Sequence, residues 1–353
     1  MTGRVILLAP SRGLGGGIER YADTLEWAFA AQGVRCLRVD LHQGSQGSRT
    51  FAHARLLSET RRHLRASTVP TRLIVAHRAL LPVASLAARE RAACGISVVC
   101  HGSDVWGARS RARRSIEDHL MGRHDVRVVA VSSFTAGAIS RKRSATILPP
   151  GLSREWFGTL VEQSACEHAP AAEISLVTAF RLADWEPKGL PQLLDAVQAL
   201  GRPDIKVTVC GTGEPPAELQ KLVRKHSYCS LRPALSDREL ASQLAAADLF
   251  VLATRTRPGR QPSGEGFGLV LLEAQVAGTP VIGPAYGGSH DAHIEGVTGV
   301  TPTDETAEAL TAAIQELLKD PRRLAEMGKH AAAWARERFA PERYASYAVA
   351  RLL

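Results

Sequence analysis

The chain has 353 residues, of which 45% are hydrophobic and 22% charged, and its formal net charge is +9 at pH 7. At about 100–200 residues per domain this length favours two domains, and the composition is that of a globular chain, not a disordered one. No apolar run approaches the roughly 20 residues that cross a bilayer, and the apolar start at residues 4–9 is too short for a signal peptide, so a cytoplasmic protein without membrane-spanning helices is expected.

Short apolar runs alternate with longer amphipathic segments along the whole chain. The predicted strands are Arg4–Ala9, Val34–Val39, Arg72–Ala76, Ser97–His101, Val126–Ser132 and Thr146–Leu148, then Ile174–Phe180, Lys206–Cys210, Cys229–Arg232, Leu249–Ala253 and Pro280–Gly283. Helical segments fall between them, among them 18–32, 189–200, 237–246 and 268–277. Strands that are apolar throughout and alternate with helices favour parallel sheets covered on both faces. The predicted fold class is therefore α/β, with two Rossmann-like, doubly wound parallel sheets facing each other across a cleft.

The predicted boundary between the two halves runs from Pro149 to about Ala172, a stretch rich in proline, alanine and polar residues. Proline and glycine break regular elements there. We expect an N-terminal domain over residues 1–165, a C-terminal domain over 166–338, and a last helix, 339–353, that returns to the N-terminal domain. Ligands of open parallel sheets bind beyond the carboxyl ends of the strands, so polar residues that follow strands are the candidate site residues.

A glycine-rich turn, residues 13–17, follows the first strand and precedes a helix. Such glycines allow backbone N–H groups to approach a phosphate at the helix N-terminus, which makes Gly16 and Gly17 candidate donor-binding residues. A dinucleotide-binding fingerprint is an alternative, with Asp40 as the ribose-binding acid. Ile18 stands where that fingerprint needs glycine or alanine. A plain turn is the third interpretation.

His101 ends the fourth predicted strand, and Gly102 opens the turn that follows. An imidazole at a strand end can donate a hydrogen bond to a sugar hydroxyl or a phosphate; a purely structural histidine is the alternative. Asp104 either orients His101 or contacts an acceptor.

Two cations, Arg181 and Lys188, lie in the loop between the first strand of the second half and the next helix. Two positive charges beside a helix N-terminus favour a diphosphate site that stabilises charge on a leaving group. A solvated loop with a capping role is the alternative.

The segment Glu265–Glu273 reads EGFGLVLLE and carries the strongest signal. Gly266 and Gly268 indicate a tight turn that opens a helix, and the backbone N–H groups of residues 267–269 at its start can hold a phosphate. Glu273 lies on an otherwise apolar helix, where an unpaired carboxylate is costly. We expect ribose hydroxyls to be its partners.

This segment resembles the E-x7-E signature of bacterial retaining glycosyltransferases of family 4, which have the GT-B fold. It runs into AGTPVI, as the family's signature does. Other motifs follow in the family's order: GGIER after the first strand, a His-Gly pair, PPGL at the boundary, an Arg…Lys-Gly loop, GTG, and AAADLFV. The resemblance covers nearly the whole chain.

The resemblance implies roles for individual residues. The implied catalytic residues are His101, Glu265, Arg181 and Lys188. The implied donor-binding residues are Gly16, Gly17, Arg181, Lys188, Gly211, Glu265, Gly266, Phe267, Gly268, Leu269 and Glu273. The implied acceptor-binding residues are Glu19 and Asp104.

The implied reaction moves a sugar from a nucleoside diphosphate sugar to a hydroxyl acceptor with retention at the anomeric carbon, in natural-product or cell-surface glycan biosynthesis. The sequence has no D-x-D pair, so we expect neither a metal nor a cofactor.

Three features depart from the family: the seven-residue spacing from Arg181 to Lys188, the long basic stretch Arg255–Gly264, and Ser289–Asp291. A sugar-nucleotide epimerase, a non-catalytic nucleotide-sugar binder and a nicotinamide oxidoreductase are the alternatives.

The basic clusters at residues 109–114 and 141–143 lack interleaved aromatic residues and any nucleic-acid-binding signature, so no nucleic-acid partner is expected. They are compatible with a solvated surface, with an acceptor or with peripheral contact at the inner membrane face. Six cysteines without a C-x-x-C pair indicate reduced thiols, as in the cytoplasm. The sequence does not indicate an oligomeric state.

Overall fold

The computed structural model describes residues 3–12, 16–43, 49–91, 94–107, 110–140, 144–166, 173–257 and 263–353. Part of the glycine-rich turn (13–15) and the basic residues 109 and 141–143 lie outside the described residues. Within these ranges, no helix is both long enough and apolar enough to cross a membrane.

The first sheet has six parallel strands in the order β2-β1-β3-β4-β5-β6 within the described residues. They are β1 (Arg4–Arg12), β2 (Arg35–Gln43), β3 (Thr71–Val75), β4 (Gly95–Cys100), β5 (Val126–Ala130) and β6 (Thr146–Ile147). Five consecutive residues of β1, from Val5 to Ala9, have no exposed surface. Both faces of the strand are therefore covered, as in a parallel sheet between helices.

The second sheet also has six parallel strands, in the order β12-β11-β10-β7-β8-β9 as far as the chain is described. They are β7 (Ile174–Arg181), β8 (Ile205–Thr212), β9 (Cys229–Pro233), β10 (Leu249–Val251), β11 (Val281–Ile282) and β12 (Gly299–Val300). The sequence did not predict β12, because two residues are too few for a hydrophobic pattern to register.

Helices follow the strands in both halves of the chain. In the described residues they are α1 (Gly17–Ala31), α2 (Arg49–Arg65), α3 (Leu81–Ala88), α4 (Ser103–Trp106), α5 (Arg111–Met121), α6 (Ser133–Ser140), α7 (Arg154–Ser164), α8 (Leu190–Leu200), α9 (Ala217–Arg224), α10 (Asp237–Ala245), α11 (Leu269–Val276), α12 (Ala307–Leu318), α13 (Pro321–Arg338) and α14 (Pro341–Leu352). Three short 3₁₀ turns occupy Arg78–Leu80, Leu182–Asp184 and Gly288–Asp291. The predicted α/β class with two Rossmann-like parallel sheets is confirmed.

The chain forms two compact units. The first contains Met1–Ser153 and Pro341–Leu353, and the second contains Arg154–Pro258 and Ser263–Ala340. The division falls before α7 and not after it, because α7 packs against α10 and α11 of the second unit. Helix α14 packs against α1 in the first unit.

Candidate functional site

Two polar side chains of the second unit converge on the carboxylate of Glu265. Lys188 Nζ donates to Glu265 Oε2 at 2.8 Å, and Thr254 Oγ1 donates to the same oxygen at 3.1 Å. Lys188 follows β7 in the chain and Thr254 follows β10, and these two strands are parallel neighbours. Their carboxyl ends therefore lie at one edge of the sheet, where ligands of such sheets bind.

The backbone of Glu265 is held as firmly as its side chain. It forms a parallel bridge with Gly287, and the N–H of Gly288 donates to the Glu265 carbonyl at 2.8 Å. Gly287 has φ of 116°, and a Cβ there would lie 2.6 Å from the Glu265 carbonyl oxygen. Gly287 is thus required for the close approach that fixes Glu265.

Glu265 is ionised at neutral pH although only 13% of its side chain is exposed. Burial by itself raises its pKa. The charge and hydrogen bond of Lys188, the Thr254 hydroxyl and the Gly266 N–H outweigh burial and lower the pKa below its usual 4.5. The site therefore holds one fixed negative charge against one fixed positive charge.

This lowered pKa predicts a pH dependence of stability. A carboxylate whose pKa is lower in the folded state stabilises the fold above its unfolded pKa, and this contribution disappears as pH falls through the folded value. We expect the difference in free energy of unfolding between wild type and Glu265→Gln to be constant near neutral pH and to shrink below about pH 4.5. Urea unfolding of both proteins across this range measures it. A difference that does not change with pH would contradict the ion pair.

The long loop from Arg181 to Lys188 is an ordered turn. The 3₁₀ turn Leu182–Asp184 buries Leu182 completely, and the N–H of Lys188 donates to the Asp184 carbonyl at 2.9 Å. The seven-residue spacing is therefore taken up by an ordered turn, and Lys188 lies beside Glu265 at the sheet edge. Arg181 ends β7, is 53% exposed and lies 3.8 Å from the Asp184 carboxylate. The described contacts thus join Lys188 to Glu265 but place Arg181 against its own loop.

The glycines of the predicted motifs differ in whether packing requires them. A Cβ at Gly189 would lie 1.9 Å from the Ala253 carbonyl oxygen, and one at Gly211 would lie 2.2 Å from the Phe180 carbonyl oxygen. Packing alone requires these two glycines. At Gly17, in contrast, a Cβ would meet no atom within 4 Å, so packing does not require glycine there and a role in approaching a ligand stays a prediction.

Helix α11 begins at the turn that the sequence predicted. Gly268, in the left-handed region with φ of 84°, precedes its first residue, Leu269. The first N–H groups of a helix have no partner within the helix. Phe267 is 3% exposed and packs edge-on against Phe339, with ring centroids 6.3 Å apart. The aromatic contact anchors the turn, and phosphate binding by the backbone N–H groups of residues 267–269 stays a prediction.

Glu273 has a protein partner that the sequence did not indicate. Its side chain is 5% exposed, and Glu273 Oε1 accepts a hydrogen bond from Trp156 Nε1 at 2.9 Å. Trp156 lies on α7, which the sequence assigned to the other domain. The structure thus adds a partner from the protein, and the expected ribose contact of Glu273 stays a prediction.

His101, in the first unit, directly follows β4. Its Nε2 lies 2.7 Å from the Ala76 carbonyl oxygen, and its ring packs edge-on against Tyr21 and parallel to His77. A carbonyl only accepts, so Nε2 carries the proton and Nδ1 is the acceptor of the neutral ring. Burial lowers the pKa of His101, against the raising effects of Asp104 and of the Ala76 carbonyl. The ring is neutral at neutral pH.

Asp104 is 2% exposed, and its Oδ1 accepts from the N–H groups of His101 and Gly102, both at 2.8 Å. This geometry supports orientation of the histidine loop; an acceptor contact by Asp104 stays a prediction. Gly16 precedes α1 with φ of 120°, and Glu19 lies in the first turn of that helix. The predicted roles of Gly16 and Glu19 are likewise untested by these contacts.

Asp40 is engaged inside the protein. Its carboxylate is 3% exposed and pairs with Arg38 at 2.9 Å and with Arg12 at 3.5 Å. A ribose-binding acid of a dinucleotide site must meet its ligand at the strand end. The two arginines occupy this carboxylate, which argues against the nicotinamide alternative.

Thr254 and Trp156 are the site residues that sequence reasoning missed. Thr254 follows β10 at the ligand-binding edge, so the rule that polar residues after strands are candidates would have found it. Trp156 carried no such signal, because it stands in a stretch that looked like a linker.

Comparisons with known proteins show what the chain is similar to. Residues 173–334 match the family model described as glycosyl transferases group 1. A GDP-mannose-dependent alpha-(1-6)-phosphatidylinositol monomannoside mannosyltransferase of Mycolicibacterium smegmatis is 29% identical over 259 residues, which cover 70% of this chain and 67% of that protein.

Solved structures share the fold. Sucrose-phosphate synthase from Thermosynechococcus elongatus matches with a TM-score of 0.78 at 20% identity, over 98% of this chain and 96% of that one. Anabaena HepE in complex with UDP-glucose matches with a TM-score of 0.74 at 18% identity, over 99% of this chain and 100% of that one. The matched residues 173–334 hold Lys188, Glu265 and Glu273, and the chain has the GT-B fold, with two Rossmann-like parallel sheets.

Proposed function

We propose that this protein transfers a sugar from a nucleoside diphosphate sugar to a hydroxyl acceptor with retention at the anomeric carbon and without a metal ion. The observation that carries the proposal is the Lys188–Glu265 pair at the carboxyl edge of the second sheet, 2.8 Å apart. A fixed cation beside a fixed carboxylate suits a ligand that has a diphosphate at one end and sugar hydroxyls at the other.

Lys188 and Arg181 are proposed to contact the diphosphate. Positive groups placed in advance stabilise the charge that develops on a departing diphosphate. The N–H groups at the start of α11 add the positive end of a helix dipole, which favours a phosphate. Lys188 is already ordered by Glu265, so the cation needs little rearrangement when the donor binds.

Glu265 is proposed to accept hydrogen bonds from hydroxyls of the donor sugar. Its lowered pKa keeps it ionised, and an ionised carboxylate accepts stronger hydrogen bonds than a neutral one. Glu273, in the second turn of α11, is proposed to meet the ribose. His101 is proposed as a neutral hydrogen-bonding group towards substrate, through Nδ1.

In the proposed chemistry the bond from the anomeric carbon to the diphosphate breaks, and a bond from that carbon to the acceptor oxygen forms on the same face. The hydroxyl proton passes to the departing diphosphate, so no protein nucleophile is needed. The cations and helix N-terminus named above take the part that a metal ion plays in other sugar transferases. No other cofactor is part of the proposal.

The relatives point to different donors. The Mycolicibacterium smegmatis relative is named for GDP-mannose, whereas the Anabaena structure contains UDP-glucose. The first relative is also named for a phosphatidylinositol mannoside acceptor. Here the acceptor is proposed only as a hydroxyl compound, and peripheral contact with a membrane face is proposed for the case of a lipid acceptor.

A donor panel tests the proposed function. A ligand that binds only the folded state raises the melting temperature, by an amount that corresponds to about 2.7 kcal/mol at a hundredfold excess over Kd. We expect GDP, UDP, ADP or dTDP to raise it and NAD to leave it unchanged. The matching sugar nucleotide should then be consumed with an acceptor library, and NMR of the product should show the donor's anomeric configuration.

Activity should be unchanged in excess EDTA, which controls for a bound metal ion. Stabilisation by NAD alone would refute the nucleotide-sugar site. A product of inverted configuration would refute retention, and loss of activity in EDTA that a divalent cation restores would refute the metal-independent mechanism.

A further inference from the structure

A tryptophan from outside the predicted motif holds the second glutamate of that motif. Trp156 Nε1 donates to Glu273 Oε1 at 2.9 Å, and both side chains are buried, at 6% and 5% exposure. Trp156 lies on α7 and Glu273 on α11, two helices that pack against each other within the second unit. This hydrogen bond links α7 to the segment Glu265–Glu273.

The hydrogen bond between Trp156 and Glu273 lies in a buried, apolar part of α11. The neighbours of Glu273 on α11, Leu272 and Ala274, are completely buried. A buried carboxylate needs hydrogen-bond donors around it. An indole N–H is a donor only, so it selects one orientation of the carboxylate.

We propose that Trp156 is a positioning residue for donor recognition: by holding Oε1, it fixes the Glu273 carboxylate in the orientation in which it accepts hydrogen bonds from the ribose hydroxyls of the nucleotide. An ionised carboxylate has acceptor sites on both oxygens, so one indole N–H leaves capacity for a ribose diol. This inference rests on the proposed function, because it assigns a nucleotide ribose to Glu273.

A purely structural Trp156 would behave differently. If the indole only packed α7 onto the second unit, its replacement would lower stability but would weaken the binding of ribose and deoxyribose nucleotides equally. If it positions Glu273, its replacement must act through the ribose hydroxyls. The ratio of the two affinities separates these roles.

The test uses Trp156→Phe, which keeps an aromatic ring and removes the N–H. Isothermal titration measures Kd for the nucleoside diphosphate that binds wild type and for its 2′-deoxy analogue. We expect wild type to bind the ribose form more tightly than the 2′-deoxy analogue. In Trp156→Phe the ratio of the two Kd values should be about tenfold smaller, which is the effect of losing one charge-assisted hydrogen bond. The KM for the donor should rise, with kcat nearly unchanged.

Trp334→Phe is the matched control, because Trp334 also lies in the second unit and packs edge-on against Phe339. It should keep the wild-type ribose preference. The double variant with Trp156→Phe and Glu273→Gln should have the same ribose preference as the single variant Glu273→Gln. An unchanged ribose preference in a folded Trp156→Phe protein would overturn the inference, whereas wild type that binds no nucleoside diphosphate would instead refute the proposed function.

Discussion

Replacing Lys188 with alanine should lower kcat/KM for the sugar nucleotide by about 10²–10³-fold, the usual effect of removing one group that stabilises developing charge. The ammonium lies 2.8 Å from Glu265 Oε2 and is 26% exposed. It can therefore reach a diphosphate while Glu265 holds it in place. Steady-state kinetics with the preferred donor measure the loss.

A second measurement separates phosphate binding from loss of structure. Lys188→Ala also leaves the Glu265 carboxylate without its cation, which destabilises the folded state. Binding of the free nucleoside, which lacks phosphates, should nevertheless be preserved in Lys188→Ala, whereas binding of the nucleoside diphosphate should fall by at least about tenfold.

Lys206→Ala is the matched control for charge. Lys206 lies on β8 in the same unit, is 41% exposed and pairs with Glu173 at 3.3 Å. Exposed ion pairs contribute about 0–1 kcal/mol, so this variant should keep wild-type activity. Full activity of Lys188→Ala, or equal losses in both lysine variants, would refute the diphosphate role.

The fold was predictable because its signals are local. The centres of β1 and β7 are largely apolar, and several of the helices between strands, such as α8, have clear amphipathic patterns. The start of α11 was predicted within one residue of its observed position, because glycines at a turn are read directly from the sequence. The short strand β12 was not predicted, since two residues are too few to show a hydrophobic pattern.

The candidate site was predictable in its charged residues but not in their pairing. Lys188 and Glu265 were singled out for separate parts of a ligand, and the structure joins them directly. They are 77 residues apart in the chain, so only the order of strands β7 and β10 brings them together. Trp156 illustrates the same limit, because helix packing decides which side chain meets a buried carboxylate and a single sequence does not encode that contact in any local pattern.

Among the substitutions discussed, Gly189→Ala should lower the free energy of unfolding most, by about 3 kcal/mol or more. Gly189 has φ of 75° and precedes α8. A side chain in this left-handed region costs about 1–2 kcal/mol. In addition, its Cβ would lie 1.9 Å from the carbonyl oxygen of Ala253. A backbone oxygen cannot move aside as the end of a flexible side chain does, so the overlap adds about 1–3 kcal/mol. Urea unfolding measures the change.

Gly201→Ala isolates the overlap from the backbone strain. Gly201 ends the same helix with φ of 62°, and a Cβ there would meet no atom within 4 Å. It should therefore lose only the conformational share, about 1–2 kcal/mol, with an unchanged dependence on urea concentration. Because Gly189 adjoins Lys188 and packs against the strand end that leads to Thr254, Gly189→Ala should also weaken donor binding, which Gly201→Ala should leave intact. Equal destabilisation by the two variants would contradict the close approach at Ala253, and with it the packing that places Lys188 beside Glu265.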